Sequence, residues 1–222
     1  MYIYAFLPNP TRALELPPGI SGSVQLIPGK DLAALVEPDL DFAALQASDE
    51  QLLQAILAHD RVTRELFQQT TLLPLKFGTR FVSQQGLLEH LAVHQSEYTA
   101  KLAQLQGKAE YLLKLIGIPY SEPTIAPDLK GKDYFFAKKQ SYQAQMEWQQ
   151  QQQAELQQLE DELAKHYSDW VRGEPGNGIE RFYILGDRIQ ERLLYEHLAV
   201  WQSQLTHWEL SVGEMLPPYH FV

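Results

Sequence analysis

The chain contains no cysteine. Disulfides, thiolate metal sites and cysteine nucleophiles are therefore excluded together, and the composition fits a reducing compartment. Long hydrophobic runs are missing too: nothing approaches the ~20 apolar residues that span a bilayer. The apolar opening Met1–Leu7 lacks a basic leader, and Pro8 and Pro10 stop it too early for a signal peptide. Positive charge is scarce, with 18 Lys and Arg against 28 Asp and Glu and a net charge of −10. The deficit is shared: 7 basic against 11 acidic residues over 1–106, and 11 against 17 over 107–222. No basic arm for nucleic acid or anionic lipid is hidden in the average. The expectation is a soluble intracellular protein.

Catalytic patterns are absent as well. Three Gly-Lys pairs (Gly29-Lys30, Gly107-Lys108, Gly131-Lys132) invite a phosphate-loop reading. That loop needs a second Gly five residues before the pair and Ser or Thr after it. Val24, Leu102 and Ala126 stand at the first position, and Asp31, Ala109 and Asp133 at the second. All three read as turns. His90 and His94 have zinc-ligand spacing on a helix, with Glu97 on the same side, but a site needs three or more convergent ligands. The plainer reading is one core and one surface histidine. His59 and Asp60 are sequence neighbours on a helix and so do not face each other. No metal, cofactor or active site is assigned.

What is present is ample core material: 45% of the 222 residues are hydrophobic and 11% aromatic. Tyr2–Leu7 reads as a strand buried on both faces. A Pro- and Gly-rich loop follows, then a hairpin of Val24–Ile27 and Leu32–Val36 around Pro28-Gly29-Lys30-Asp31. Ser48 and Gln51 form a capping box opening a helix whose apolar face is Leu52, Leu53, Ile56, Leu57, Thr63, Leu66 and Phe67. Thr71–Phe77 is a short strand that Pro74 confines to an edge or bulge. A second helix carries Leu87, Leu91, His94, Tyr98, Leu102 and Leu105.

Residues 1–105 thus read β-β-β-α-β-α, a ferredoxin-like unit whose first crossover helix is replaced by a loop. The period then becomes two, with Ala109, Tyr111, Leu113 and Leu115 on one face and Glu110 and Lys114 on the other. After a loop punctuated by Pro119, Pro123 and Pro127, a helical stretch runs from about Leu129 to Trp170. Its Tyr142, Met146, Leu156, Leu163, Tyr167 and Trp170 suit a narrow seam against another helix, as one long helix or a helical hairpin. Gln149–Gln153 reads as a solvated face, and Gly173–Gly178 as a loop. A strand with Phe182 and Ile184 inward follows. Gly186-Asp187 then caps a helix of Ile189, Leu193, His197, Val200 and Trp201, and a last strand puts Trp208, Leu210 and Val212 inward. The expected fold class is α+β, in two domains, 1–105 and 106–222. The end, Leu216–Val222, is apolar and stiffened by Pro217 and Pro218, either a strap over its own domain or a segment pre-ordered for a partner.

Leu73-Pro74-Leu75-Lys76-Phe77-Gly78-Thr79, with Phe81 after it, resembles the signature of the gas vesicle protein F/L family. His59–Val62 is similar to that family's preceding helix motif, Gly107–Lys114 to its next strand, and Gly131–Tyr134 to its Gly-basic-Asp-Tyr helix start. Pro217–Val222 resembles its proline-tyrosine tail. Lys76 stands where the family often has Arg, keeping the charge but losing the planar fork. Met215-Leu216 stands where Gly and Trp are more usual. The resemblance implies a minor, non-enzymatic protein of gas vesicles, the gas-filled shells that give aquatic microbes buoyancy. It would act in nucleation or assembly by contacting the hydrophobic major shell protein, alongside other accessory proteins, with neither nucleic acid nor lipid membrane as partner. Its candidate partner-binding residues are Lys76, Phe77, Arg80, Pro217, Pro218, Tyr219 and Phe221. The competing reading is a small-molecule-binding regulatory protein, on the analogy of other ferredoxin-like modules.

Overall fold

The computed structural model describes residues 1–124 and 130–222. It is α+β, with two separate four-stranded antiparallel sheets. Pro127 and Leu129, and the Ala126 position of the third Gly-Lys pair, lie outside the described residues. By contacts the chain divides into Met1–Glu110 with Met215–Val222, and Tyr111–Glu214. The last eight residues therefore cluster with the first unit, whereas the sequence division assigns them to 106–222.

In the first unit β1 (Tyr2–Pro8) is central, with six consecutive residues buried because both its neighbours and both its faces are covered. It pairs antiparallel with β3 (Leu32–Glu37), which pairs with β2 (Gln25–Pro28) through the expected hairpin. On its other side is β4 (Leu73–Pro74), with Ala5 opposite Pro74 and Phe6 opposite Leu73. The order β2-β3-β1-β4 is that of a ferredoxin-like sheet, and a loop takes the place of the first crossover helix. Proline lacks an N–H, so Pro74 limits the fourth strand to an edge of two residues.

Helices α1 (Phe42–Leu45) and α2 (Asp49–Phe67) follow, and Ser48 caps α2 by accepting the Gln51 N–H at 3.2 Å. Of the expected stripe of α2, Thr63, Leu66 and Phe67 are buried, but in the N-terminal half the inward line is Ala55, His59 and Val62, at i, i+4 and i+7, while Leu53, Ile56 and Leu57 are exposed. The second expected helix is two, α3 (Gln84–Val93) and α4 (Gln95–Leu105). His94 sits between them at φ −96° and ψ 10°, outside helical values. At the bend His94 N–H reaches the His90 carbonyl and Tyr98 N–H the His94 carbonyl, both at 3.0 Å.

The second sheet has the order β6-β7-β5-β8, from β5 (Lys108–Gly117), β6 (Trp170–Arg172), β7 (Ile179–Asp187) and β8 (Trp208–Leu216). Ala109, Tyr111, Leu113 and Leu115 are buried as expected, but Glu110 is fully buried too. Helix α5 (Lys132–His166) runs 35 residues without a break, so the hairpin alternative and the extension to Trp170 fall away; Trp170 opens β6. Leu156, Leu159 and Leu163 anchor α5, whereas Tyr142 and Met146 of the expected seam are exposed. In α6 (Glu191–Gln204) the buried residues are Leu194, Leu198 and Trp201 rather than Ile189, Leu193 and Val200. A 3-10 turn at Arg188–Gln190 rotates the face, and Asp187 makes no side-chain cap.

One carboxylate orders the loop that replaces the missing helix. Glu37, at the end of β3, is buried and accepts hydrogen bonds from the N–H groups of Ile20 (2.8 Å), Ser21 (2.9 Å) and Gly22 (2.6 Å). The Tyr4 hydroxyl donates to it as well. A Cβ at Gly19 would collide with this carboxylate, so the close approach demands glycine. Burial raises the pKa of Glu37, but the Tyr4 and backbone donors outweigh it and the net shift is downward. A lowered carboxylate pKa stabilises the fold above the unfolded value, about 4.3, and that stability is lost as pH falls through the folded value. Glu37→Gln should therefore cost about 1–3 kcal/mol at pH 7, because an amide cannot accept all these donors. In urea unfolding the gap to wild type should narrow as pH drops below about 4. A gap that stays constant with pH would show that ionisation of Glu37 is not what holds the loop.

Candidate functional site

Three consecutive residues on α2 each grip a different segment of the first unit. His59 is buried, with Nε2 3.0 Å from the Leu75 carbonyl and Nδ1 2.7 Å from the Tyr2 hydroxyl. A carbonyl only accepts, so Nε2 carries the proton and Nδ1 accepts from Tyr2. The Tyr2 oxygen in turn accepts the Gly78 N–H at 3.3 Å. Burial pushes the His59 pKa down, which suits the neutral ring this pattern requires. Asp60 accepts the Tyr219 hydroxyl at 2.7 Å and pairs with Arg64 at 2.7 Å. Arg61 donates to the Pro18 carbonyl at 2.7 Å.

Gly78 has φ +92°, the left-handed region, as the turn after Phe77 requires. The turn closes through the Lys76 carbonyl, which accepts from the Thr79 N–H (3.1 Å) and hydroxyl (2.7 Å). Phe77 is half-buried against Tyr2, Phe42 and His59. Lys76 and Arg80 are exposed, and the Arg80 guanidinium lies 4.6 Å over the Phe42 ring.

The chain's end is a strap on this same unit. Pro217 and Pro218 are buried, and Tyr219 and Phe221 half-buried. Burial, then the bond to Asp60, pushes the Tyr219 pKa up. Glu110 accepts from the His220 N–H and from His220 Nδ1, both at 2.8 Å. Burial raises the Glu110 pKa, and the His220 bonds oppose the rise. The last residue, Val222, reaches a groove of about 530 Å³ whose walls include Phe6, Leu73, Leu75 and Tyr98, with Lys76 and Lys101 also lining it. The signature segment and the strap, more than 130 residues apart in sequence, thus meet in one mostly apolar groove.

Of the residues singled out from sequence as partner-binding, Lys76 lines this groove, whereas Phe77 and Arg80 lie on the turn beyond and Pro217, Pro218, Tyr219 and Phe221 are not among its walls. The histidines bond two groove residues: His90 Nε2 reaches the Tyr98 hydroxyl at 2.8 Å, and His94 Nδ1 reaches Glu97 at 3.0 Å. Among the described residues no group of three His, Cys, Asp or Glu is placed to hold a metal ion. Sequence reasoning missed the clamps of His59, Asp60, Arg61 and Glu110. Arg61 and Glu110 each adjoin a buried apolar residue, whereas His59 and Asp60 carry no such mark.

The model of the "Gas vesicle synthesis protein GvpL/GvpF" family matches residues 1–222. The chain belongs to that family. Among solved structures it is similar to gas vesicle protein GvpF from Microcystis aeruginosa, with a TM-score of 0.70 and 16% identity over 99% of this chain and 97% of that one. GvpF from Anabaena sp. PCC7120 is similar too, with a TM-score of 0.71 and 15% identity over 99% and 94%. No curated protein matches the chain. At such identities the solved structures establish a shared fold, and family membership rests on the full-length model. A gas vesicle role follows from the family. No helix among the described residues is long and apolar enough to cross a membrane.

Two outcomes test the clasp. Gly78→Val should destabilise the protein by about 1–3 kcal/mol through backbone strain, read from unfolding midpoints. Deleting 217–222 should lower the melting temperature, on the order of 3 kcal/mol, because Glu110 is left buried without its partner. An unchanged melting temperature after truncation would mean that the strap contributes nothing to the unit it covers.

Proposed function

We propose that this protein is a non-enzymatic accessory of gas vesicle synthesis, working at the vesicle in nucleation or assembly by contacting the hydrophobic major shell protein. The observation that supports this most is the groove between β4 and α4. It lies where the two segments most similar to the family, Leu73–Thr79 and the chain's end, converge. Phe6, Leu73, Leu75 and Tyr98 offer apolar surface for a hydrophobic partner, and Lys76 adds an exposed charge. A very apolar subunit emerging at high concentration is prone to aggregate, so an acidic partner that covers its surface is useful.

The strap's part in this differs from that of the turn. Pro217 and Pro218 are buried on their own unit, so they hold the strap in place instead of offering contact. Lys76, Phe77 and Arg80 on the turn, with the exposed edges of Tyr219 and Phe221, form the proposed contact set.

Co-purification of the full chain with the major shell protein tests the proposal. Ala100→Arg places a bulky charge in the groove from an exposed position on α4 and should reduce retention at least about tenfold with the melting temperature unchanged. Wild-type retention should resist added salt, since apolar burial drives it. Full retention by the variant would remove the groove from the interface. A raised melting temperature with a nucleotide or another small molecule would favour the regulatory reading instead.

A further inference from the structure

Two helical faces of opposite local charge have no partner among the described residues. The first is the N-terminal half of α5. Phe135 and Phe136 are 74% and 63% exposed, Tyr142 is 63% and Met146 41%. Phe135, Tyr142 and Met146 fall at i, i+7 and i+11, one face of the helix. Of the seam expected from sequence, only Tyr142 and Met146 share this exposed face with Phe135, whereas Leu156 and Leu163 are buried on the anchored side with Ser141 and Leu159. Around it stand exposed Lys132, Lys138 and Lys139, with Asp133 the one acidic residue before Glu147. A basic, aromatic patch is unusual in a chain of net charge −10.

The second face is the N-terminal half of α2. Leu53, Ile56 and Leu57 are 53%, 41% and 54% exposed. Asp49 and Glu50 open this helix, and Asp39 and Asp41 precede it, all exposed. From Asp31 to Asp60 the sequence holds no Lys or Arg at all. Apolar area exposed on one helix and flanked by acid thus matches apolar area on another flanked by base.

We propose that the N-terminal half of α5 in one copy docks on the N-terminal half of α2 in a second copy of this chain. The contact joins two different surfaces, so it either closes as a two-fold dimer, each copy giving its α5 to the other's α2, or continues head to tail. Exposed charges at the rim make it sensitive to salt, and the aromatic and aliphatic side chains supply the buried area.

Sedimentation of the full chain across a concentration series reads this directly. The wild type should show a weight-average mass that rises above the monomer value with concentration, and falls when salt is added. Lys138→Glu with Lys139→Glu should weaken association at least about tenfold, and Leu53→Asp should do the same from the other side. Both sets of changes are at exposed positions, and matched circular dichroism spectra check that each variant folds. The deciding sample is an equimolar mixture of the two variants. Each is unable to self-associate, yet the charge-reversed chain keeps its α2 face and the Leu53 variant keeps its α5 face. The mixture should form a one-to-one heterodimer and go no further. A wild type that stays monomeric throughout would overturn the proposal and assign these faces to a different protein. So would a mixture in which the variants remain apart.

Discussion

The first unit depends on one helical turn of α2 in which His59, Asp60 and Arg61 point in different directions. Successive residues on a helix are 100° apart, so neighbours in sequence serve separate surroundings. His59 faces the sheet and holds the turn after β4 through the Leu75 carbonyl. Asp60 faces the strap and holds Tyr219. Arg61 faces the loop that replaces the missing crossover helix and holds Pro18. Val62, next in line, is fully buried in the core and fixes the rotation of all three. A pairing of His59 with Asp60 as acid and base was never geometrically open, and their adjacency serves a structural purpose.

Buried carboxylates repeat the same logic. Glu37 gathers the amides of residues 20–22, and Glu110 gathers the backbone and ring of His220. In the second unit Glu155 on α5 accepts from the N–H groups of Thr206 and His207, at 3.1 and 2.9 Å, and from the His207 ring. Each carboxylate stands on a regular element and satisfies donors of an irregular segment that no helix or strand partner could reach. Charge-assisted bonds of this kind are about twice as strong as neutral ones, which suits segments with little apolar area of their own. Part of the acidic excess is therefore structural and does not serve solubility.

The elements were legible where one physical signal dominated. β1 declared itself because all of Tyr2–Leu7 is apolar, and Pro74 correctly marked an edge. Faces of helices were less legible. On α2 Thr63, Leu66 and Phe67 face inward as expected, but in the first half Ala55 and His59 do so while larger Leu53, Ile56 and Leu57 point outward, so ranking by hydrophobicity selects the wrong side there. On α6 a single turn of 3-10 helix shifts the phase. Glu110 read as outward by alternation, and only the return of the chain's end, 110 residues later, makes its burial possible. The groove was illegible for the same reason: its walls come from β1, β4, α4 and Val222, and no local pattern links them.

The sheet edges bear on which surfaces are open to partners. An open edge strand pairs with any extended chain, a hazard for any folded protein. β4 is two residues long and contains Pro74; β2 is four residues and ends in Pro28; β6 has three. β8, the longest edge, is covered in part by Gln202, whose side-chain oxygen accepts the Leu210 N–H at 2.7 Å while its amide donates to the Trp208 carbonyl at 3.4 Å. That one side chain copies the hydrogen bonding of an added strand. Strand addition is thus suppressed at these edges, and the surfaces left for partners are those whose backbone is already satisfied. Side chains then carry specificity, through apolar shape and local charge, and a wrong partner gains nothing from generic backbone pairing.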